Sequence, residues 1–208
     1  DWSSDVCSSD LDELYTRLSM VKGECNAGCE VGCEGKHSVP ATSWQLFNEL
    51  KNGRETKRIL VDGQAGIGKS TFVTKLSLDW IECIKETNPL KKFKLVLLIK
   101  LREVSHCKTL EEVIRSSDLL PEEEEDVLPD LLHYITENQE EVLFVFDGYD
   151  EYGVRKDSDV LKIFMGRKFR DCCVLVTTRS SQGDDLREFA DVQAEVTGFS
   201  LEDIKRYL

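Results

Sequence analysis

The sequence predicts an α/β fold in which helices cover both faces of a mostly parallel β-sheet. Short, continuous apolar runs rich in β-branched residues are typical of strands that are buried on both faces. Segments with helical spacing of apolar residues separate these runs, and strands that alternate with helices form parallel sheets. The 208 residues are enough for one well-buried domain with a short appendage, but not for two full domains.

The predicted elements follow one another regularly after residue 40. Ser43 is expected to cap a first helix, and a turn at Asn52 and Gly53 precedes the first strand. Strands are predicted at Arg58 to Val61, Lys94 to Leu101, Val142 to Phe146 and Val174 to Thr178. Helices are predicted from Ser43 to Leu50, from the glycine-rich loop through Ile84, and at Leu110 to Ser117, Pro121 to Glu137 and Val160 to Phe169.

The N-terminal residues are expected to lie outside this domain. Residues 1–11 resemble the translation of a sequencing-adapter oligonucleotide and are left out of the fold prediction, a genuine polar tail being the alternative. Leu11 to Val21 has the apolar spacing of a short helix or an extended arm. Glycines and cysteines are frequent from Gly23 to Pro40, which is typical of a linker. We therefore predict an arm and linker over residues 12–40 and the main domain over residues 41–198.

Cysteine usage indicates a reduced compartment rather than a disulfide-stabilised fold, since the chain is long enough to form a core without disulfides. Four soft ligands recur at a spacing of four residues: Cys25, Cys29, Cys33 and His37. On a helix they would spread over three turns, and the glycines among them disfavour a helix. We therefore predict a flexible linker with unligated thiols instead of a zinc site. Cys83, Cys172 and Cys173 lie in apolar stretches and are predicted to be small core residues.

Charge and hydropathy exclude two classes of partner. The formal net charge is -13, and the longest charged run, Glu122 to Asp126, is acidic. Binding to a nucleic acid requires clustered Lys and Arg, so no nucleic-acid partner is expected. Apolar runs are all shorter than the ~20 residues that a membrane-spanning helix needs, so no membrane span is expected and a cytoplasmic location is predicted.

A glycine-rich loop carries the strongest chemical signal. It matches the phosphate-binding pattern G-x-x-x-x-G-K-[ST] at each fixed position. The loop comprises Gly63, Gln64, Ala65, Gly66, Ile67, Gly68, Lys69 and Ser70. Glycines let backbone N–H groups curve around a phosphate chain, and the positive end of the following helix faces the same anion. Lys69 is expected to reach the β- and γ-phosphates, Ser70 to bind Mg²⁺, and Thr71 to meet the α-phosphate. The sequence therefore predicts a P-loop NTPase that holds ATP or ADP with Mg²⁺.

Acidic residues and an arginine follow two of the other predicted strands. Asp147 ends an apolar run, so it is placed at the carboxyl edge of the sheet, where it is expected to bind Mg²⁺. Asp150 and Glu151 follow on the next turn, close enough to orient or deprotonate water, and Glu151 is preferred because its side chain is longer. Arg179 ends another buried strand and could sense the γ-phosphate. Ordinary surface charges are the alternative for each of these residues taken singly.

Three segments, in this order and at this spacing, resemble the NACHT domain of the STAND NTPases, and especially of animal NOD-like receptors: GQAGIGKST, FVFDGYDEY and VLVTTRS. One feature separates this group from other ATPases: a small residue, here Gly148, directly follows the metal-site Asp147. The acidic residues are displaced to Asp150 and Glu151. The resemblance implies that Thr16, in an arm before the P-loop, lies beside adenine. It also implies that residues 199–208 begin a first helical subdomain.

The resemblance further implies the function of a switch. ADP holds a closed monomer, exchange for ATP permits self-assembly into an oligomer, and slow hydrolysis resets the state, in innate immune or cell-death signalling through an effector adaptor that the sequence does not identify. Two alternatives stay open. An AAA+ or helicase-type machine usually has Glu directly after the metal-site Asp, where this chain has Gly148. A scaffold that holds nucleotide without turnover would not need Glu151.

Overall fold

A seven-stranded sheet organises the chain in the computed structural model, which describes residues 17–22, 37–41, 46–47, 50–51, 54–82, 88–117, 119–120, 127–154 and 156–198. The strands, in chain order, are β1 (Arg17–Lys22), β2 (His37–Ala41), β3 (Leu50–Lys51), β4 (Arg54–Glu55), β5 (Arg58–Asp62), β6 (Leu95–Lys100), β7 (Val142–Asp147), β8 (Cys173–Thr178) and β9 (Val192–Gly198). The order across the large sheet is β2-β1-β9-β5-β8-β7-β6, and β3 and β4 pair separately as a short hairpin.

The sheet has a parallel part and an antiparallel edge. The five strands from β9 to β6 run parallel to one another, so their carboxyl ends meet at one edge. β1 pairs antiparallel with β9, and β2 pairs antiparallel with β1. The prediction of a mostly parallel sheet is confirmed.

Helices pack on both faces of the sheet, as predicted. They are α1 (Lys69–Ile81), α2 (Leu110–Ser116), α3 (Val127–Glu137), α4 (Asp159–Phe164) and α5 (Asp184–Arg187), with 3-10 turns at Pro89–Lys92, Gln139–Glu141 and Tyr149–Glu151. On one face, Phe72, Val73 and Leu76 of α1 pack against the sheet in one buried cluster. On the other face, residues of α2 to α5 form a second buried cluster. No helix among the described residues is long and apolar enough to cross a membrane.

Strand alternation decides which side chains share a face. Successive side chains of a strand point to opposite faces, and in β7 Leu143 and Val145 belong to the cluster around α1. Phe144 and Phe146 belong to the opposite cluster. In β8, Leu175 likewise faces α1. Odd-numbered residues of β7 and β8 therefore lie on the α1 face, a pattern that reaches the ends of both strands.

Helix boundaries follow from local capping. Thr109 begins α2 with a reciprocal capping box, in which its Oγ1 accepts the Glu112 N–H at 3.2 Å and the Glu112 carboxylate accepts the Thr109 N–H at 3.1 Å. Ser158 caps α4, whose sequence pattern predicts a helix as far as Phe169. That prediction is wrong at its end: Gly166 adopts a left-handed φ of 69°, which terminates a helix, and Phe169 itself has a φ of 47°.

Other predictions also differ from the structure. The helix predicted to end at Leu50 is wrong there, because Leu50 lies in β3, and β3 and β4 pair across the predicted turn at 52–53. The predicted linker from Gly23 to Pro40 overlaps strand β2. β9 was not predicted as a strand at all. β6 was predicted to be buried on both faces. It is an edge strand in which Leu95, Val96 and Leu98 are only half-buried, so this prediction is only partly correct.

Several predictions concern residues outside the described ranges. Cys25, Cys29, Cys33, Cys83, the cap at Ser43 and the segment 121–126 are among them, as are residues 1–11 and 199–208. The domain boundaries therefore stay predictions.

Cys172 and Cys173 are buried, as predicted, and should be unreactive in the folded protein. Burial raises the pKa of each thiol to about 12, so at mildly alkaline pH both stay protonated, whereas an unfolded thiol near pKa 9 is partly ionised. We expect an aromatic disulfide reagent to modify these positions only after denaturation, as measured by peptide mass spectrometry. Rapid modification of either cysteine in folded protein would contradict this assignment.

Candidate nucleotide-binding site

The glycine-rich loop connects β5 to α1 at the carboxyl edge of the sheet. Gly66 and Gly68 adopt left-handed backbone conformations, with φ of 71° and 105°, that only glycine reaches at little cost. Gly63 has no room for a side chain, because a Cβ there would lie 2.8 Å from Ile67 Cγ2. Gly68 is the N-cap of the 13-residue α1. The loop therefore places backbone N–H groups at the positive end of a helix, which is a ready anion site.

Lys69 extends over this loop. Its Nζ donates hydrogen bonds to the carbonyl oxygens of Gly63, at 2.8 Å, and Gln64, at 2.9 Å. Burial lowers the pKa of Lys69 from its ordinary value, and the negative charges of Asp150 and Asp147 oppose that shift. The ammonium group is thus held by neutral carbonyls at the place where a phosphate chain would offer stronger, charged acceptors.

Asp147 at the end of β7 contacts the first turn of α1. The Ser70 hydroxyl donates to Asp147 Oδ2 at 2.7 Å, and the Thr177 hydroxyl donates to Asp147 Oδ1 at 2.6 Å. A hydroxyl oxygen next to a carboxylate is the kind of oxygen donor set that Mg²⁺ takes when it also binds phosphate. The residues present therefore fit the predicted magnesium ion.

A tight turn after β7 carries the two acids Asp150 and Glu151, which lie in different surroundings. Gly148 has a φ of 82°, and the 3-10 turn Tyr149–Glu151 follows it. Arg179 Nε lies 2.7 Å from Asp150 Oδ2, and Arg179 Nη2 lies 3.9 Å from Glu151 Oε1. The Asp150 side chain is 5% exposed and that of Glu151 is 46% exposed. Asp150 is thus engaged by the arginine, and Glu151 is the more accessible acid.

These groups line a single cleft of about 290 Å³. Its walls come from the P-loop, from the ends of β6 and β7, and from Arg179, and its lining residues are Ala65, Gly66, Gly68, Lys69, Ser70, Thr71, Lys100, Arg102, Asp147, Gly148, Asp150, Glu151 and Arg179. The predicted catalytic and metal-binding residues therefore all lie together. Lys100 and Arg102 were not predicted, and Thr16 lies outside the described residues.

A larger cavity, about 1420 Å³, lies at the opposite edge of the sheet, where β5 begins. Charged groups that line it pair with one another: Lys57 Nζ lies 2.6 Å from Asp171 Oδ1, and Lys92 Nζ lies 3.2 Å from Glu55 Oε2. The Arg58 guanidinium donates to the Cys172 carbonyl oxygen at 2.7 Å. The smaller cleft, by contrast, brings together the phosphate loop, Ser70 and Asp147, so we assign the chemistry to it.

Sequence reasoning missed two polar contacts beside the site. Thr177 bonds to Asp147, and the alternation of β8 was the available signal, since Thr177 continues the face that carries Leu175. Arg187 of α5 forms an ion pair with Asp62, the residue just before the P-loop, with Nη2 2.8 Å from Oδ2. No sequence signal links these two residues, because the pair depends on how α5 returns over the end of β5.

Comparison with known proteins identifies the family of this chain. A model of the NACHT domain matches residues 57–208, which is well over half of the chain. This chain belongs to the NACHT domain family. The predicted resemblance is confirmed, and the matched range contains every described residue of the cleft.

Relatives of this NACHT domain are much longer proteins. Protein NLRC5 of Ictalurus punctatus is 29% identical over 217 residues, covering 94% of this chain and 12% of that protein. NLR family CARD domain-containing protein 4 of Xenopus tropicalis is 28% identical, covering 96% and 18%. NACHT, LRR and PYD domains-containing protein 2 of Homo sapiens is 30% identical, covering 72% and 15%. The chain thus spans less than a fifth of the length of these relatives.

The Arg187–Asp62 ion pair should contribute to the stability of the NACHT domain. The Asp62 side chain is 10% exposed, so Arg187→Ala removes a cation from a largely buried carboxylate. Since Arg187 itself is partly exposed, we expect the free energy of unfolding to fall by about 2 kcal/mol in denaturant titrations, the scale of a buried polar group that loses its partner. Arg115→Ala, which breaks the exposed Arg115–Glu111 pair on α2, is the matched control and should cost about 0.5 kcal/mol or less. Equal losses in the two variants would contradict a special role for Arg187.

Proposed function

We propose that this NACHT domain binds ATP or ADP with Mg²⁺ and acts as the nucleotide-controlled switch of a cytoplasmic signalling protein of the NOD-like receptor type. One observation carries the proposal: Ser70 at the end of the phosphate loop is hydrogen-bonded to Asp147 at the end of β7. Binding of a nucleotide with Mg²⁺ requires a phosphate-binding loop and a metal-binding carboxylate close to each other. The contact between Ser70 and Asp147 brings these two groups together. Long relatives named as NLR proteins support the signalling context.

Binding of nucleotide would use groups that now bond to each other. Backbone N–H groups of the loop would take the phosphates, and Lys69 would exchange two carbonyl partners for phosphate oxygens. Ser70 and Asp147 would hold Mg²⁺, Asp147 usually through water. The bound ion would supply neutralisation of charge on the β- and γ-phosphates.

Turnover, in this proposal, is slow and depends on Glu151. Gly148 occupies the position directly after Asp147, where motor ATPases usually have their base, and its left-handed φ disfavours any side chain there. Asp150 is held against Arg179 and its side chain is only 5% exposed, so it has less access to water than Glu151 has. Glu151 is accessible and 3.9 Å from the same arginine, which makes it the better candidate to orient the attacking water.

The Arg179–Asp150 ion pair supports a switch that responds to the γ-phosphate. A ligand shifts a conformational equilibrium only through its different affinity for the two states. A γ-phosphate near Arg179 would compete with Asp150 for the guanidinium, whereas ADP would leave that pair intact. Exchange of ADP for ATP would thereby change contacts of β8 and of the turn after β7, and in the whole protein this would permit self-assembly for innate immune or cell-death signalling through an adaptor still to be identified.

Lys69→Ala should abolish nucleotide binding, because backbone N–H groups alone do not neutralise the phosphate charge. Calorimetry with Mg-ATP and Mg-ADP is the measurement. In the native protein, ligand at a hundredfold excess over Kd stabilises the fold by about 2.7 kcal/mol, which appears as a thermal shift. Lys94→Ala, an exposed lysine just before β6 and away from the cleft, is the control and should keep the native affinity. Unchanged affinity in folded Lys69→Ala protein would refute the proposed binding mode.

Glu151→Gln should retain Mg-ATP binding while losing hydrolysis. A group that acts only in the transition state lowers the barrier without strengthening ground-state binding, and loss of a general base typically costs about 10²–10⁴-fold in rate. Single-turnover assays on the full-length protein measure this. Asp150→Asn is the matched variant: it breaks the Arg179 ion pair and should alter nucleotide preference more than the chemical step. A native rate in Glu151→Gln with a lost rate in Asp150→Asn would reverse the assignment. Native rates in both would show that these acids are structural, and the proposed reset step would lose its base.

A further inference from the structure

Register places Thr177 beside Asp147 on one face of the sheet. Phe146 of β7 pairs with Val176 of β8, so the next residues, Asp147 and Thr177, are neighbours across the two parallel strands. Both are odd-numbered and continue the face on which α1 packs. Thr177 is fully buried, and its side chain lies between the end of β7 and the end of β5, where it pairs with Val61. Its hydroxyl is therefore shielded from solvent.

The hydrogen bonds of this hydroxyl have a fixed direction. The Gly148 N–H donates to Thr177 Oγ1 at 2.8 Å, which uses an acceptor position of the hydroxyl. The hydroxyl proton then goes to Asp147 Oδ1 at 2.6 Å, and the Ser70 proton goes to Oδ2. Both oxygens of the carboxylate are thus hydrogen-bonded, one from β8 and one from the P-loop helix, which fixes the orientation of the carboxylate.

We propose that Thr177 is a positioning residue for the magnesium site: its hydroxyl holds Asp147 in the orientation that turns Oδ2 towards Ser70. This inference rests on the proposed function, because it concerns the same nucleotide site. When Ser70 turns its oxygen towards a metal ion, the bond from Thr177 remains to keep the carboxylate from rotating. Partners that orient a metal ligand typically change metal affinity by 10- to 100-fold when they are removed.

The same hydroxyl also fixes the turn after β7. Gly148 has a left-handed φ of 82°, and its N–H is anchored on Thr177. That anchor sets the direction in which the chain leaves the strand towards Asp150 and Glu151. Thr177 therefore links the position of the metal ligand to the position of the two acids, although it is not among the residues that line the cleft.

Thr177→Val tests the inference because valine has the shape of threonine without the hydroxyl. Thr178→Val is the matched control: Thr178 is equally buried and points to the opposite face, and among the described residues its hydroxyl makes a long contact of 3.5 Å to the Arg179 carbonyl oxygen. Affinity for a non-hydrolysable ATP analogue is measured by calorimetry across a range of Mg²⁺ concentrations and in EDTA. Thr177→Val should raise the Mg²⁺ concentration for half-maximal tight binding 10- to 100-fold. It should leave the affinity in EDTA within about twofold, and Thr178→Val should match the native protein in both.

A second pair of variants keeps the test decisive if valine at 177 impairs folding. Thr177→Ser and Thr177→Ala differ by the hydroxyl alone, so serine should preserve the native Mg²⁺ dependence and alanine should lose it. Equal Mg²⁺ dependence in native, serine and alanine proteins overturns the inference. Equal weakening in Mg²⁺ and in EDTA also overturns it, because that is the result of a merely structural role. If the native protein itself binds the analogue without any effect of Mg²⁺, the proposed magnesium site fails, and that result is distinct from failure of the role of Thr177.

Discussion

The carboxylate of Asp147 is the point at which three elements of the structure meet. It is the last residue of β7, it accepts the Ser70 hydroxyl from the start of α1, and it accepts the Thr177 hydroxyl from β8. These contacts exist because parallel strands bring their carboxyl ends to one edge, where side chains from different strands converge. A shift of one residue in the register of β7 would turn Asp147 to the opposite face and remove both contacts. The apolar alternation that buries Leu143 and Val145 against α1 therefore also sets the geometry of the site.

Charge within the cleft is balanced by contacts between its own residues. Lys69 bonds to loop carbonyls, and Arg179 bonds to Asp150. Both cations are thus held at the cleft before any ligand enters, and a phosphate chain would take over from partners that already hold them in place. Preorganised donors of this kind contribute more in a buried cleft than in water, because the local dielectric response is weaker. Such an arrangement suits a ligand that carries several negative charges.

Sequence alone was sufficient for the central strands and for the groups with a strong local pattern. The P-loop is contiguous, and Asp147 and Arg179 follow continuous apolar runs, so each could be found without knowledge of the neighbours. Thr177 could not be assigned this way, because its role depends on the register between β7 and β8. β9 alternates buried and exposed positions, and a search for continuous apolar runs overlooks such a strand. The ion pair of Arg187 with Asp62 joins residues far apart in the chain, and only tertiary structure reveals it.

The different roles assigned to the two acids follow from one glycine. Because Gly148 adopts a left-handed conformation and its N–H bonds to Thr177, the chain turns sharply after Asp147 and enters a single 3-10 turn. Adjacent residues of such a turn point about 120° apart, since it has three residues per turn. Both acids line the cleft, but Asp150 is thereby held against Arg179 with 5% of its side chain exposed, whereas 46% of the Glu151 side chain is exposed. A glutamate directly after Asp147 would have to take the strained conformation of Gly148. The end of β7, with Gly148 anchored on Thr177, is therefore suited to acids that come later in the turn rather than directly after Asp147.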